Sequence, residues 1–363
     1  MDQFKQYLII ILIISLGFGQ LLRFEILGLP IFLHDILVLC ILIINTTNLR
    51  GPSSQHIRYT PGLKLVFLGL VIGVVRALTL FPLADLLIPV LYSLRLLAYL
   101  FLYLSLHQKP LTIGRTPFLI AGVISLTIGL AQYVLMPDMR VFQYLGWDDH
   151  LSRLTLPHFD PTFSAAFLAI SLLFMLPTQT LPVLPLALAL GILLTYSRSI
   201  WLSLVLTIFL FAKRKISTLF VICSLLFVIF VALPRQFGEG TNLLRTFSIT
   251  SRWEHDLELA SRVGWDFVPG IGYNTLPLIL DPATEGLPNH ATGFNNSFLM
   301  ILASTGIIGL TGWIIFLRSL YIKHSHLRPV LVFLVIGSIF NNLILSPFLL
   351  LFLLMAPNAT SHD

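Results

Sequence analysis

The residues with most chemistry to offer are arginines placed beside polar turns in an otherwise apolar chain. Arg198 stands in LLTYSRSIW, where Thr195, Tyr196, Ser197 and Arg198 interrupt a very long apolar run. The interruption reads as a tight turn or a broken helix, with Arg198 at the start of the next helix. A cation there opposes the helix macrodipole. It makes sense where an anion meets both the guanidinium and the unbonded backbone N–H groups. An arginine snorkelling to headgroup phosphates is the plainer account of the same residue. Arg252 lies in SITSRWEHDLELASRVGWD, where Ser251 and Glu254 form a capping-box pattern. Trp253, Leu257 and Ala260 recur there at helical spacing. The pattern predicts a short amphipathic helix from Ser251, lying on the membrane or on other helices, with Arg252 in its first turn. Two arginines at helix starts, far apart in sequence, suit one anion with two or more negative charges. Their planar forks match phosphate oxygens bidentately, which the point charge of lysine does not.

Other polar residues could act beside them. His290 stands in a Gly- and Pro-rich loop and could take a proton at neutral pH, although an exposed loop histidine needs no function. Asn295, Asn296 and Ser297 precede the apolar run FLMILASTGIIGLTG and suit ordinary helix capping. Asp148, Asp149 and His150 are ligand types for a divalent metal. Three consecutive residues cannot all point at one ion from regular structure, so a solvated acidic loop is expected and no metal is implied. Arg153 follows, and Asp160 before Pro161 signals a helix start. PGIGYNTLP reads as a turn. Asp35, Arg76, Asp85 and Arg95 fall inside apolar segments, where ionisable groups are costly and either paired or functional. Arg76 and Asp85 flank Pro82 and are expected to pair, with Arg95 pairing to Asp85 or facing a cavity.

The elements that position these residues are membrane helices. The chain of 363 residues is 56% hydrophobic and 10% charged, with a mean hydropathy of +0.91. Soluble domains carry about 25% charged residues, so an all-α polytopic integral membrane protein is predicted. Apolar windows fall near 7–22, 29–45, 63–80, 83–105, 117–135, 163–176, 182–196, 199–212, 216–233, 295–317, 328–340 and 343–356. Some are short, so ten to twelve transmembrane helices are expected in a single transmembrane domain over 1–363. The first window has no small-residue cleavage site after it and reads as a span. Cys40 and Cys223 lie in apolar runs and read as small buried hydrophobes.

Charge sets the orientation. With a cytoplasmic N-terminus, the inner loops hold Arg50, Arg58, Lys109, Arg115, Lys213, Arg214, Lys215, Arg318, Lys323 and Arg328 and no acidic residue. The alternate loops hold the acidic residues, as the positive-inside rule requires. That distribution explains the net charge of +6 without nucleic acid. It also puts the large polar loop, 234–294, and the Arg198 turn outside the cytoplasm.

Four ordered pieces over roughly 150–317 resemble the O-antigen ligase and polymerase superfamily of bacterial polysaccharide assembly. They are RLTLPHFDPTFSAAF, TYSRSIW, SRWEHDLELASRVGWDFVPGIGYNTL and NNSFLMILASTGIIGLTG. The resemblance implies a GT-C-like glycosyltransferase of the bacterial inner membrane, inverting, metal-independent and without a cofactor. Its implied partners are an undecaprenyl-diphosphate-linked oligosaccharide donor, a glycan or lipid-linked glycan acceptor and membrane lipids. Arg198 and Arg252, with Arg153, would bind the donor diphosphate, and Asn296 the acceptor. The family pattern His-Asn-Ser-x-Leu carries a histidine that activates the acceptor hydroxyl, and this chain has Asn295 there. An amide takes no proton at neutral pH, so His290, or a carboxylate such as Asp281 or Glu285, would replace it, or no base is used. The broken histidine pattern favours a polymerase over a ligase. A polytopic transporter of a small solute or lipid-linked glycan is the alternative. Intramembrane Arg76, Asp85 and Arg95 would suit it, and the large loop would not.

Overall fold

Proline, glycine and polar turns decide where the apolar runs break into helices. The computed structural model describes residues 2–26, 29–47, 60–108, 113–175, 183–211, 247–280 and 293–359. The first helices are α1 (Asp2–Leu16), α2 (Leu33–Thr47), α3 (Leu63–Leu80), α4 (Leu87–Gln108) and α5 (Thr116–Leu135). They are followed by α6 (Pro161–Met175), α7 (Val183–Leu194), α8 (Arg198–Phe211) and α9 (Phe247–Val263). The last are α10 (Ser297–Lys323), α11 (Arg328–Gly337) and α12 (Pro347–Met355). Pro161, Pro329 and Pro347 each stand in the first turn, where the missing N–H costs nothing.

Among the described residues, four helices are long and apolar enough to cross a membrane: 63–80, 87–107, 116–135 and 297–323. The other apolar helices are shorter, at 10–17 residues. The expected window at 216–233 lies outside the described residues. The sequence reading also missed a small antiparallel sheet. Strands β1 (Arg23–Ile26) and β2 (Leu29–Phe32) pair with Arg23 opposite Phe32 and Ile26 opposite Leu29.

Chain reversals collect at two ends of the bundle. At one end the carbonyl of Asn358 accepts from Ile113 N, and Ala356 O contacts His326. At the other, Gln20 N donates to Pro157 O, Leu154 N to Leu194 O, and Ser297 N to Ser338 O. This second end holds the starts of α6, α8, α10 and α12, and it is where the polar residues meet.

The main seam is antiparallel packing of α3 on α10 through glycines. A Cβ on Gly69 would lie 2.6 Å from the Cα of Gly309, so only glycine allows this approach of the two backbones. Within α10 the ladder breaks at Gly306, whose φ is 66°. The PGIG segment fills the break. Ile271 N donates to Ala303 O at 2.8 Å, Gly272 N to Ser304 O at 3.1 Å, and Ile307 N to Val268 O at 3.1 Å. The segment read as a turn is therefore an insert that satisfies backbone groups of a broken helix, as non-helical backbone inside a membrane protein must be.

The buried charges pair otherwise than expected. Arg76 binds Asp266, with Nη2 2.7 Å from Oδ1, and not Asp85. This ties α3 to the turn after α9. Arg95 binds Asp35 at 3.1 Å instead of Asp85. Asp35 also accepts from Tyr99 Oη and, at 3.0 Å, from Phe32 N, so it fastens the end of β2 to α4. Local proximity suggested the Asp85 pairing, but side chains on adjoining elements supplied better geometry. Cys40 is exposed on the outside of α2, contrary to the buried place expected, and Cys223 lies outside the described residues.

Candidate functional site

The turn before α8 is built by local hydrogen bonding. Thr195 Oγ1 donates to Ile192 O and accepts from Ser197 N. Tyr196 takes φ 54°, a left-handed conformation that costs a bulky residue about 1–2 kcal/mol and reverses the chain within three residues. Arg198 is thereby the first residue of α8. Ser199 follows, and its Oγ accepts from Asn341 Nδ2 at 2.8 Å.

Helix α9 brings the second arginine. It begins at Phe247, four residues before the expected cap, because no proline or glycine separates Phe247 from Ser251. Arg252 therefore sits in the second turn and not at a helix start. The packed face also differs from the expected stripe. Leu259 and Val263 are buried, whereas Trp253 and Leu257 are exposed by 67% and 54%. Arg252, His255 and Asp256 share the side of the helix that reaches its neighbours. The rest of the expected loop, 234–246 and 281–292, lies outside the described residues.

These pieces converge on Asn341, in the turn between α11 and α12. Arg252 Nη1 donates to Asn341 Oδ1 at 2.9 Å, and the same amide donates onward to Ser199. Ser297 Oγ donates to Asn341 O at 3.1 Å and accepts from Ile344 N. Burial acts on the Arg198 guanidinium first and the positive charge of Arg252 second. Two guanidinium groups within electrostatic reach repel unless an anion or a polar bridge stands between them. Asn341 ties Arg252 to Ser199, the residue after Arg198, and the Arg252 fork has further N–H donors beyond the one it uses here.

Asn295 and Asn296 do different work. Asn295 donates from both its backbone N, at 3.0 Å, and its Nδ2, at 3.2 Å, to Asp256 Oδ1. Asp256, one helical turn beyond Arg252, is thus engaged with the 293–296 segment. Asn296 is the cap of α10, its Oδ1 accepting from Phe298 N at 2.8 Å and Leu299 N at 3.2 Å. Only its amide NH2 is left to offer an acceptor. His290 lies outside the described residues. His255, three residues beyond Arg252, has Nε2 3.3 Å from Gly293 O, which puts an imidazole next to the Asn295 segment.

Arg153 reaches the edge of this cluster through the Arg198 turn. It is buried, and its Nε donates to Thr195 O at 2.9 Å. The acidic loop beside it is less solvated than expected. Asp148, His150 and Asp160 bring ligand-type atoms within 4.8 Å of one another, a set that could hold a metal ion, with Asp160 in place of Asp149. Asp160 Oδ1 also caps α6 through Thr162 N and Phe163 N. Burial, then the charge of Arg153, hold His150 below its ordinary pKa, against the opposing influence of Asp160, Asp148 and Asp149.

Arg198 and Arg252 were visible in the sequence. Their connectors were not. Asn341 was hidden as one polar residue in an apolar run, and the NN pair at 341–342 was its only signal. His255 and Asp256 could have been found by following the helical spacing onward from Arg252.

No curated protein matches the chain. Residues 183–314 match the family model described as O-Antigen ligase, from the start of α7 through Arg198 and Arg252 and past the break in α10. That domain match supports the resemblance to the O-antigen ligase and polymerase superfamily.

Proposed function

We propose that the protein is a membrane glycosyltransferase of polysaccharide assembly, moving glycan from an undecaprenyl-diphosphate-linked donor to a glycan hydroxyl. The observation that carries this reading is the meeting of Arg252 with the start of α8 through Asn341. Such a pair suits a diphosphate. The acceptor oxygen bonds to the anomeric carbon as the carbon–oxygen bond to the diphosphate breaks. The lipid diphosphate departs with the electron pair, and attack from the opposite face inverts the centre. Charge grows on the diphosphate as that bond stretches. Guanidinium groups already in place stabilise it without reorganisation, which is the work a divalent ion would otherwise do.

The hydroxyl proton passes to an imidazole, either His255 beside the Asn295 segment or His290 five residues before Asn295 in the sequence, because an amide does not accept it. A polymerase fits better than a ligase, given asparagine where the ligase pattern has histidine. The acidic residues outside and basic residues inside favour an extracytoplasmic site. The test is purified protein incubated with an undecaprenyl-diphosphate-linked repeat unit, with and without EDTA. Elongated glycan and released undecaprenyl diphosphate in both samples are expected. No elongation, or elongation only without the chelator, would overturn the reading or its metal-independent form respectively.

A further inference from the structure

Next to Asn341 the chain opens a cavity of mixed apolar and polar lining that the arginine site does not use. Its volume is about 220 Å³, and Gln20, His158, Phe163, Asn342, Ser346 and Phe348 line it. One water needs only roughly 10–15 Å³ by this measure, so the space admits something larger. Gln20 Oε1, both ring nitrogens of His158 and Asn342 Oδ1 are buried without a hydrogen-bond partner among the described residues. Each such orphan costs about 1–3 kcal/mol, and here they gather around one space. Gln20 is held in position by its own N–H, which donates to Pro157 O beside His158.

The lining defines the ligand. Among the described residues no lysine, arginine, aspartate or glutamate borders the cavity, so this lining favours a neutral molecule. Two amide oxygens accept, a neutral imidazole both donates and accepts, and the Ser346 hydroxyl does either. Phe163 and Phe348 add apolar faces. Several neutral acceptors and donors around apolar faces match the hydroxyls and C–H edges of a sugar ring. The position fits as well. Consecutive Cα atoms are about 3.8 Å apart; Asn341 turns to Arg252 and Ser199, and Asn342 to the cavity.

We infer that this cavity is a sugar subsite, holding one uncharged pyranose by its hydroxyls beside the arginines. The link to the diphosphate rests on the proposed function; the sugar site itself stands on the cavity. The probe is a panel of free galactose, mannose, rhamnose and N-acetylglucosamine, read by saturation-transfer NMR on the full chain in detergent. At least one sugar should receive saturation from the protein. Gln20→Ala and Asn342→Ala, each with an unchanged thermal transition, should weaken it by about 5-fold or more, the worth of roughly 1 kcal/mol of hydrogen bond. Arg252→Ala should leave it intact. No transfer from any sugar, or transfer that both cavity variants retain, overturns the subsite. Undecaprenyl diphosphate binding, followed separately by native mass spectrometry, should be lost in Arg252→Ala and kept in Asn342→Ala. The two ideas can therefore fail independently.

Discussion

Arg252 and Ser199 are joined by a single amide: Asn341 accepts from the guanidinium at 2.9 Å and donates to the hydroxyl at 2.8 Å. The bridge orients one arginine relative to the helix that begins with the other. Asn341→Ala removes a hydrogen bond to a charged group, worth about 1.5–3 kcal/mol, and should lower glycan-transfer kcat/KM roughly 10- to 100-fold. Asn341→Asp should be worse for activity, since a carboxylate in the fork competes with phosphate. Its thermal transition should be no lower than that of the alanine variant. Wild-type turnover in the aspartate variant would show that Arg252 does not meet an anion.

Arg198 and Arg252 are expected to act as a unit, so their substitutions should not add. Arg198→Ala and Arg252→Ala should each abolish long glycan on a gel at normal expression. Lysine at either place keeps the charge but loses the fork and should leave only short chains. In a double-mutant cycle the coupling should exceed about 0.5 kcal/mol, as for groups sharing one partner. Full chain length in Arg198→Ala would remove phosphate recognition from this residue.

Two long-range ion pairs among the described residues differ in burial, and stability should follow. Arg95 and Asp35 are 16% and 11% exposed, while Arg76 and Asp266 are 40% and 32% exposed. Breaking a buried pair leaves an uncompensated charge and costs about 3–5 kcal/mol. A half-exposed pair is worth about 1 kcal/mol or less. Arg95→Ala should therefore lower the thermal midpoint in detergent several times more than Arg76→Ala. Equal shifts would mean that the Asp35 carboxylate finds other partners in the variant.

Glycine in the α10 break is required by conformation as well as by space. Gly270 has φ 80° and Gly306 φ 66°, and a Cβ on either would come within 2.5 Å of the other segment's backbone. Backbone cannot move aside as a side-chain tip can. Gly270→Ala and Gly306→Ala should each cost more than about 1–3 kcal/mol and sharply reduce folded yield. Gly264 also has positive φ, but nothing lies within 4 Å of its missing Cβ. Gly264→Ala should pay only the conformational term and yield folded protein.

Much of this architecture was legible because the signals are local. Apolar length gave α3, α4, α5 and α10, and the Thr195–Ser197 interruption gave the α7–α8 turn next to Arg198. What escaped depends on partners distant in sequence. Asp85 lay closer along the chain to Arg76 than Asp266 does, and only folding brings Asp266 there. The start of α9 was misjudged because Ser251–Glu254 has the form of a capping box, and a cap pattern does not stop a helix already under way. PGIG was read as a turn because nothing in its composition tells that a helix interrupted at Gly306 supplies its hydrogen-bond partners. Asn341 carries the centre of the site, and an Asn-Asn pair in an apolar run does not tell which partners it meets.

His158 should make stability depend on pH. Burial, with the nearby His34 imidazole second, lowers its pKa to about 3 from the ordinary 6.5. The folded protein therefore keeps the ring neutral through the acidic range, while the unfolded chain protonates it below about pH 6.5. Where the unfolded state binds more protons, stability falls as pH falls. The contribution is complete above pH 6.5, declines below it and levels off near pH 3. The slope approaches 1.36 kcal/mol per pH unit, so about 2 kcal/mol should be lost by pH 5. His158→Gln removes this titration. Thermal midpoints of the two proteins, measured from pH 7.5 down to about pH 5, should therefore converge or cross as the wild type loses its advantage. A constant difference across that range would mean that His158 is protonated alike in the folded and unfolded chains.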